Sequence, residues 1–157
     1  MAITLARLFN CVVKIGDWIF SHAGILAEKI ECYGSDIERL NKDVREYLIN
    51  PSYLNDNIYD LIEDNDSILW TRIYGRRTDT EVCETVRHTL NVINGDKYKG
   101  GLIIGHTVQN DGIESLCNNQ LHRIDVGMSR AFGEKDEPHD RIEVLEIVDN
   151  HQISRIV

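Results

Sequence analysis

The chain of 157 residues lacks several features that define whole classes of protein. It has two prolines, and no apolar run reaches the roughly 18 residues that a helix needs to cross a bilayer. The N-terminal apolar stretch is interrupted by Asn10 and Cys11 and followed by Lys14, so a secretory signal is not predicted. We therefore expect a protein that stays in the cytoplasm, where it is made, and does not enter membranes.

Cysteine is sparse and has no diagnostic spacing. The four residues are Cys11, Cys32, Cys83 and Cys117, and no two of them form a C-x-x-C pair. This pattern argues against a zinc ribbon and against a disulfide framework. It predicts reduced thiols, most of them buried.

Positive charge is also in short supply, with 17 Lys and Arg against 26 Asp and Glu and a formal net charge of −9 at pH 7. A surface of this sign repels nucleic acid and anionic lipid, so neither is an expected partner. The composition does include 42% hydrophobic residues, which is enough for a soluble domain with a real core. We treat residues 1–157 as a single domain.

Common catalytic motifs are missing as well. The sequence has no G-x-S-x-G, no Walker loop and no H-E-x-x-H. Chemistry in this chain would therefore depend on a water molecule activated by a metal ion.

The local patterns that are present predict strands, then helices, then strands in one α/β unit. "CVVKIGDWIFSH" predicts strands over Val12–Ile15 and Trp18–Ser21 around a two-residue turn at Gly16-Asp17. Helical spacing follows at 35–50, capped by Ser35 or Asp36, and more weakly at 52–67.

The clearest helix is predicted over 78–95, capped by Thr78 or Asp79, with Val82, Val86, Leu90 and Ile93 inward and His88 on its surface. The earlier helix at 35–50 should bury Ile37, Leu40, Val44 and Leu48. Four β-rich runs end the chain: "GGLIIGHT", "QLHRIDVG", "RIEVLEIV" and "HQISRIV", the last two forming a hairpin around Asp149-Asn150. A polar loop, "FGEKDEPHD" at 132–140, holds Pro138 and His139.

Two histidines share one local setting. In "DWIFSHAG" and "GLIIGHTV" an apolar run ends in a small residue and is followed by His22 or His106. Polar groups just past the carboxyl ends of central strands face the crevice where α/β proteins bind ligands, so the two imidazoles could meet there. Gly24 and Gly105 would let the backbone turn sharply beside the rings. Each histidine could equally be an ordinary structural residue that ends a strand.

Other polar residues offer weaker signals. "LWTRIYGRR" supplies Arg72, Arg76 and Arg77, and a guanidinium can bind two phosphate oxygens at once, although loop arginines are usually solvated. In "HRIDVGMSRAFG", Asp125 is either an acceptor that orients a ligand histidine or a loop cap.

Taken in order, "KIGDWIFSHAGI", "LWTRIYG", "GLIIGHT" and "RIDVGMSRAFG" resemble the C-terminal half of calcineurin-like metallophosphoesterases, and most of all the Shewanella-like branch of phosphoprotein phosphatases. The resemblance extends from about Val12 to Val157. It implies a partial calcineurin-like α/β fold, with mixed sheets flanked by helices.

The resemblance also implies a site and a reaction. His22 and His106 would be ligands of a divalent metal pair (Mn, Fe or Zn), Arg72 would contact the substrate phosphate, and Asp125 would support a ligand from behind. The reaction would be hydrolysis of a phosphoprotein, with a Ser/Thr preference expected.

One departure from the family is large. Its Asp-x-His, G-D-x-x-D-R-G and G-N-H-E motifs precede the one around His22 and supply the remaining metal ligands and the general acid, yet the 21 residues before His22 hold none of them. We therefore expect an incomplete domain with no assigned general acid and with an exposed sheet edge. The missing half would lie on a longer chain or a second polypeptide. The alternative is an inactive relic that binds phosphate or protein.

Overall fold

The protein is described here by a computed structural model that covers residues 2–132 and 142–157. Most of the polar loop predicted at 132–140, with Pro138 and His139, lies outside the described residues. In those that are described, no helix combines the length and apolar character needed to cross a membrane. The elements in chain order are α1 (Ala2–Leu8), β1 (Val12–Ile15), β2 (Trp18–Ser21), α2 (Ala27–Glu31), α3 (Ile37–Ile49), α4 (Asp56–Ile62), α5 (Ile73–Arg76), α6 (Asp79–Asn94), β3 (Leu102–Ile104), β4 (Glu114–Leu116), β5 (Leu121–Arg123), β6 (Val144–Val148) and β7 (Gln152–Ile156).

The main sheet is mixed and has the order β1-β2-β3-β5-β4. Its three central strands, β2, β3 and β5, are parallel, and the outer strands β1 and β4 each pair antiparallel with a neighbour. In the described ranges no strand pairs with the outer edge of β1 or of β4. The α/β class predicted from the sequence is confirmed.

The N-terminal hairpin forms as predicted because its turn chemistry is local. Gly16 has φ +60°, the left-handed conformation that a two-residue hairpin turn requires, and Ile15 pairs with Trp18 across it. A short helix, α1, precedes the hairpin, which the sequence did not predict.

Helices pack on one face of the sheet. Strand residues that point to this face include Ile19, Leu102, Ile104 and Leu121, all fully buried, and they join a core with Leu40, Val44, Val82, Val86 and Leu90 from the helices. Helix α6 begins with a capping box between Thr78 and Glu81, as its sequence suggested.

Leu48 is a wrong prediction for the core, because its side chain is 44% exposed. Tyr47 packs against the core in its place. The buried positions 37, 40, 44 and 47 form a stripe that alternates steps of three and four residues, and this alternation keeps the stripe on one face of a helix with 3.6 residues per turn. Leu48 is rotated about 80° from Leu40, so it lies at the margin of this face, in the last turn of the helix.

The β6–β7 hairpin lies across the other face of the sheet and is tied to it through the hairpin turns. Asn150 accepts hydrogen bonds from the Asp17 amide at its side chain (3.1 Å) and from Trp18 Nε1 at its carbonyl (3.0 Å). An apolar cavity of about 440 Å³ remains between the two sheets, lined among others by Phe20, Ile103 and Ile147.

The cysteines differ from the prediction of four reduced thiols. Cys83 on α6 and Cys117 in the turn after β4 form a disulfide, whereas Cys11 and Cys32 are free. The partners are 34 residues apart and meet only because α6 packs against the sheet, so no local spacing could indicate the pair.

Asn41 joins helix α3 to strand β1 through its buried amide. Its Oδ1 accepts hydrogen bonds from the Cys11 amide (3.0 Å) and the Val12 amide (3.2 Å), and its Nδ2 donates to the Val12 carbonyl (2.7 Å). The Asn41 side chain therefore makes the backbone hydrogen bonds at the start of β1 that a neighbouring strand would otherwise make.

Replacing this amide should be costly. We expect Asn41→Ala to lower the free energy of unfolding by about 3 kcal/mol, because buried backbone groups lose their partners at roughly 1–3 kcal/mol each. Urea unfolding measures the change, and Asn57→Ala, at an exposed position of α4, is the matched control with an expected change below about 0.5 kcal/mol. Equal losses in the two variants would contradict the prediction.

The disulfide makes a second prediction. Alkylation of the unreduced, denatured chain should modify two cysteines, Cys11 and Cys32, and alkylation after reduction should modify all four. Mass spectrometry of peptides reads this directly. Modification of all four cysteines without reduction would contradict the disulfide and support the sequence-based prediction of reduced thiols.

Candidate active site

The two predicted histidines lie together at the carboxyl ends of neighbouring parallel strands. Strands β2 and β3 pair so that Ser21 lies opposite Ile104, and the pairing continues one step further, where the Gly105 amide donates to the His22 carbonyl (2.8 Å). The next side chains meet: Nε2 of His22 is 3.0 Å from Nδ1 of His106, and the ring centroids are 4.8 Å apart. The expectation that the imidazoles meet in this crevice is confirmed.

The sharp turns beside the rings have different origins. His106 itself is in the left-handed region, at φ 64°, where histidine is one of the few tolerated residues that have a side chain. Gly24 has φ +120°, and a Cβ there would lie 2.2 Å from Cδ2 of Tyr74. Gly24 is therefore required, whereas a Cβ at Gly105 would make only ordinary contacts.

The surroundings of His106 favour its neutral form. Burial lowers its pKa, and the nearby positive charge of Arg72 and the ring of His22 lower it further. The indole of Trp70 meets the imidazole edge to face, with centroids 5.8 Å apart and an interplanar angle of 83°. The lowered pKa favours the neutral form of the ring, which is the form in which imidazole binds metals.

One nitrogen of this ring is left over. Nε2 of His106 is buried, and it makes no hydrogen bond of ordinary geometry among the described residues, although the Trp70 backbone acts to raise the pKa of the ring. If Nδ1 carries the proton and donates to His22, the lone pair of Nε2 is free to bind a ligand. A buried polar atom without a partner is costly, and a bound ion would relieve that cost.

Arg72 lies next to the histidine pair. It is the residue before helix α5, its Nη1 is 3.4 Å from Oγ1 of Thr107, and most of its side chain is exposed. Together with His106 it lines a cavity of about 430 Å³, whose other described walls are Glu63, Asn65, Asp66 and Trp70. The structure thus brings Arg72 and His106 together, as the sequence analysis expected for a phosphate site.

Asp125 follows strand β5 and takes part in a turn. Its Oδ1 accepts a hydrogen bond from the Gly127 amide (3.1 Å), as a loop cap does. Its negative charge also acts to raise the pKa of His106, against the effect of burial. In the described ranges no hydrogen bond joins its carboxylate to His22 or His106, so an orienting role for Asp125 stays a prediction.

A complete metal centre needs more than these residues. Zinc takes three or four protein ligands, and the described part of the chain contains no group of three His, Cys, Asp or Glu side chains placed to hold an ion. The free Nε2 of His106 and the adjacent His22 fit two ligand positions of such a centre. The residues present therefore fit part of a metal site.

Sequence reasoning missed Trp70 and Arg123. Trp70 stands two residues before Arg72 in a segment already singled out, and an aromatic residue so close to a candidate site was a signal that could have been used. Arg123 stands in the same sequence motif as Asp125, and its side chain is buried and hydrogen-bonded to the Tyr74 carbonyl in helix α5.

The chain is similar to known phosphatases. It is 35% identical over 128 residues to Shewanella-like protein phosphatase 2 of Arabidopsis thaliana, across 76% of this chain and 29% of that protein. It is 29% identical over 118 residues to an uncharacterized protein of Schizosaccharomyces pombe, across 72% of this chain and 32% of that protein. No protein-family model matches.

Solved structures agree on the fold. A cold-active protein tyrosine phosphatase superposes with a TM-score of 0.59 at 23% identity, over 78% of this chain and 34% of that chain. A point mutant of a cold-active protein tyrosine phosphatase gives 0.60 at 22% identity, over 78% and 35%.

These matches define the class: the chain has a phosphatase fold. In sequence it is similar to a part of a Shewanella-like protein phosphatase. It spans about a third of the length of the relatives it matches.

The lowered pKa of His106 predicts how stability depends on pH. The unfolded chain takes up a proton near the ordinary histidine pKa of about 6.5, whereas the folded chain does so only at lower pH, so the free energy of unfolding should fall as the pH drops from about 7.5 to about 5.5. His106→Asn, which keeps a residue that tolerates the left-handed backbone, should make this fall shallower.

Urea unfolding at several pH values in a chelating buffer measures the slope. His88→Asn, at an exposed position of α6, is the control and should retain the slope of the unmodified chain. If His106→Asn also retained it, the neutral, buried state assigned to His106 would be wrong.

Proposed function

We propose that this chain is the portion of a metal-dependent phosphoprotein phosphatase that carries two metal-ligand histidines and a phosphate-binding arginine. The observation that carries the proposal is the contact between His22 and His106 beside Arg72, at the carboxyl ends of two parallel strands. Homology to a Shewanella-like protein phosphatase supports the same reaction class, hydrolysis of a phosphoric monoester.

The roles follow from the chemistry of each group. His22 and His106 would be ligands of a divalent metal pair, Mn²⁺, Fe or Zn²⁺, which when bound supplies positive charge and an activated water for attack on phosphorus. The Arg72 guanidinium would hold two phosphate oxygens and orient the ester. Neutral imidazole at His106 suits ligation because no proton has to be displaced first.

A full centre requires further ligands. The motifs Asp-x-His, G-D-x-x-D-R-G and G-N-H-E, which supply them in the family, do not occur among the 21 residues before His22, where the family's order would place them. We propose that a segment bearing those motifs, on a longer chain or on a second polypeptide, completes the site.

The proposed substrate is a phosphorylated protein. The sequence favours phosphoserine or phosphothreonine, and one observation favours phosphotyrosine as a second candidate: the indole of Trp70 is 55% exposed in the wall of the cavity, where it could pack against an aromatic ring. Initial rates on matched phosphoserine, phosphothreonine and phosphotyrosine peptides would separate the two.

Turnover tests the proposed reaction. With Mn²⁺ and a chromogenic phosphate ester, we expect little turnover by the chain alone and turnover when it is mixed with, or fused to, a segment that carries the three missing motifs. His106→Gly, which accepts the left-handed backbone but has no ligand atom, should reduce that turnover at least about a hundredfold, because one ligand of the metal pair is lost. The exposed His88→Asn should leave it unchanged.

Two results would oppose the proposal. Turnover that survived His106→Gly would exclude a role for His106 as a metal ligand. Phosphate binding without turnover in any combination would instead support the alternative, an inactive relic of the fold.

Arg72 makes a separate prediction on phosphate binding. We expect Arg72→Gln to raise the Kd for inorganic phosphate about tenfold or more, and Arg72→Lys to recover only part of the loss, because lysine cannot form the two-pronged contact. Isothermal titration or NMR titration measures the Kd, and Arg87→Gln on the exposed face of α6 is the control. An equal Kd for Arg72→Gln and the unmodified chain would remove Arg72 from the site.

A further inference from the structure

Arg123 is a buried cation with an unusually full set of partners. Its side chain is 7% exposed, and its three nitrogens donate in three directions: Nε to the Tyr74 carbonyl (2.6 Å), Nη2 to the Arg77 carbonyl (2.7 Å) and Nη1 to the Glu114 carboxylate (2.6 Å). A buried charge is retained only when it is paired in this way. The partner on β4 neutralises the charge, and the two carbonyls belong to a different part of the fold.

Both carbonyls belong to the segment that follows Arg72. Helix α5 (Ile73–Arg76) is one turn long; the Arg72 side chain does not cap it, and its first amide, that of Ile73, donates to Oγ1 of Thr71 (3.3 Å). A helix this short is not stable by itself, and its last carbonyls need donors. Arg123 supplies donors at Tyr74 and Arg77 and places its positive charge near the negative end of the helix.

The start of α5 is continuous with Arg72. The Arg72 carbonyl accepts the first helical hydrogen bonds, from the amides of Gly75 (3.2 Å) and Arg76 (3.0 Å). Gly75 in turn packs so closely on Thr107 that a Cβ at Gly75 would lie 2.3 Å from Oγ1 of Thr107. Helix α5 is thus held at its C-terminal end by Arg123 and packs tightly on Thr107, the residue after His106. The backbone of Arg72, at the start of the helix, therefore has little freedom to move.

The register of the central strands determines where Arg123 holds helix α5. Strands β3 and β5 are parallel neighbours, and Ile104, two residues before His106, lies opposite Arg123. One strand therefore delivers His106, and the adjacent strand delivers the side chain that fixes α5. The separation between Arg72 and His106 is in this way tied to the register of two central strands.

From these contacts we propose that Arg123 is a positioning residue for Arg72: it fixes α5 to the sheet so that the Arg72 guanidinium faces the cavity beside His106. Arg123 does not itself reach this cavity in the described part of the chain. The benefit for ligand binding rests on the proposed role of Arg72 as a phosphate contact, whereas the positioning itself does not.

The positioning is tested first without any ligand. In the ¹⁵N-labelled chain, the heteronuclear NOE of Arg72 Nε reports how ordered its side chain is, with the signal assigned by its loss in Arg72→Gln. We expect Arg123→Gln to lower this NOE to the value of an exposed arginine such as Arg87. Arg123→Lys, which keeps the charge beside Glu114 but cannot reach both carbonyls, should lower it too, and it covers the case in which Arg123→Gln does not fold.

Phosphate affinity provides the second test, as a double-mutant cycle with inorganic phosphate as the probe. Arg123→Lys should raise the Kd about tenfold, close to the value of one charge-assisted hydrogen bond, but less than about twofold when Arg72 has already been replaced by Gln. A role in stability alone would give the same factor in both backgrounds. Arg45→Gln is the matched control, because Arg45 is likewise held by a carboxylate, Glu38, and by Asn10, but on α3.

The outcomes separate the two proposals. An unchanged Arg72 NOE in both Arg123 variants would overturn the positioning role, and so would equal Kd factors with and without Arg72. If the unmodified chain binds no phosphate while the NOE falls as expected, the phosphate role of Arg72 fails and the positioning role stands. If Arg45→Gln lowers the Arg72 NOE as much as the Arg123 variants do, the effect is general loosening of the fold, and the proposal fails.

Discussion

The parallel pairing of β2 with β3 is the constraint on which the candidate site depends. Because Ser21 lies opposite Ile104, both strands leave the sheet at the same edge. The residues that follow them, His22 and His106, are 84 positions apart in sequence, yet Nε2 of the first is 3.0 Å from Nδ1 of the second. Side chains alternate between the two faces of a strand, so a slip of one residue would exchange the buried Ile19 with Trp18 or Phe20. The burial of Ile19, Leu102 and Ile104 against the helices thus fixes the register, and the register fixes the histidines.

Buried polar side chains complete what strand pairing begins. The strands of the main sheet are short, with three or four residues each. At two places beside them, side chains provide the hydrogen bonds that the backbone needs. Asn41 satisfies the start of β1, and Arg123 satisfies the end of α5. Both contacts join elements distant in sequence, and both leave costly unpaired groups if they are broken. The site is therefore supported by a few strongly coupled contacts.

Local chemistry explains which parts of the fold could be predicted from the sequence. The hairpin at Gly16, the capped helix from Thr78 and the strand-end histidines are each specified within a few neighbouring residues, and each was predicted. The Cys83–Cys117 pair and the contacts of Arg123 depend on tertiary packing, which no local pattern encodes. The prediction that Leu48 is buried was wrong because two successive steps of four residues rotate a side chain from the centre of the buried face toward its margin. Resemblance to a family supplied the proposed roles of Arg72 and Asp125, and spacing alone left them undecided.

The backbone at His106 narrows the set of side chains that can occupy this position. At φ 64° a branched residue such as Val, Ile or Thr would clash with its own main chain, while Asn, Asp and Gly would be accepted. The residues that the conformation accepts are, apart from glycine, small polar groups with oxygen or nitrogen donors to a metal. A substitution of this histidine that the backbone tolerates would thus most readily introduce Asn or Asp, which can also bind a metal ion. The conformation at position 106 therefore favours a metal-binding side chain even when histidine is replaced.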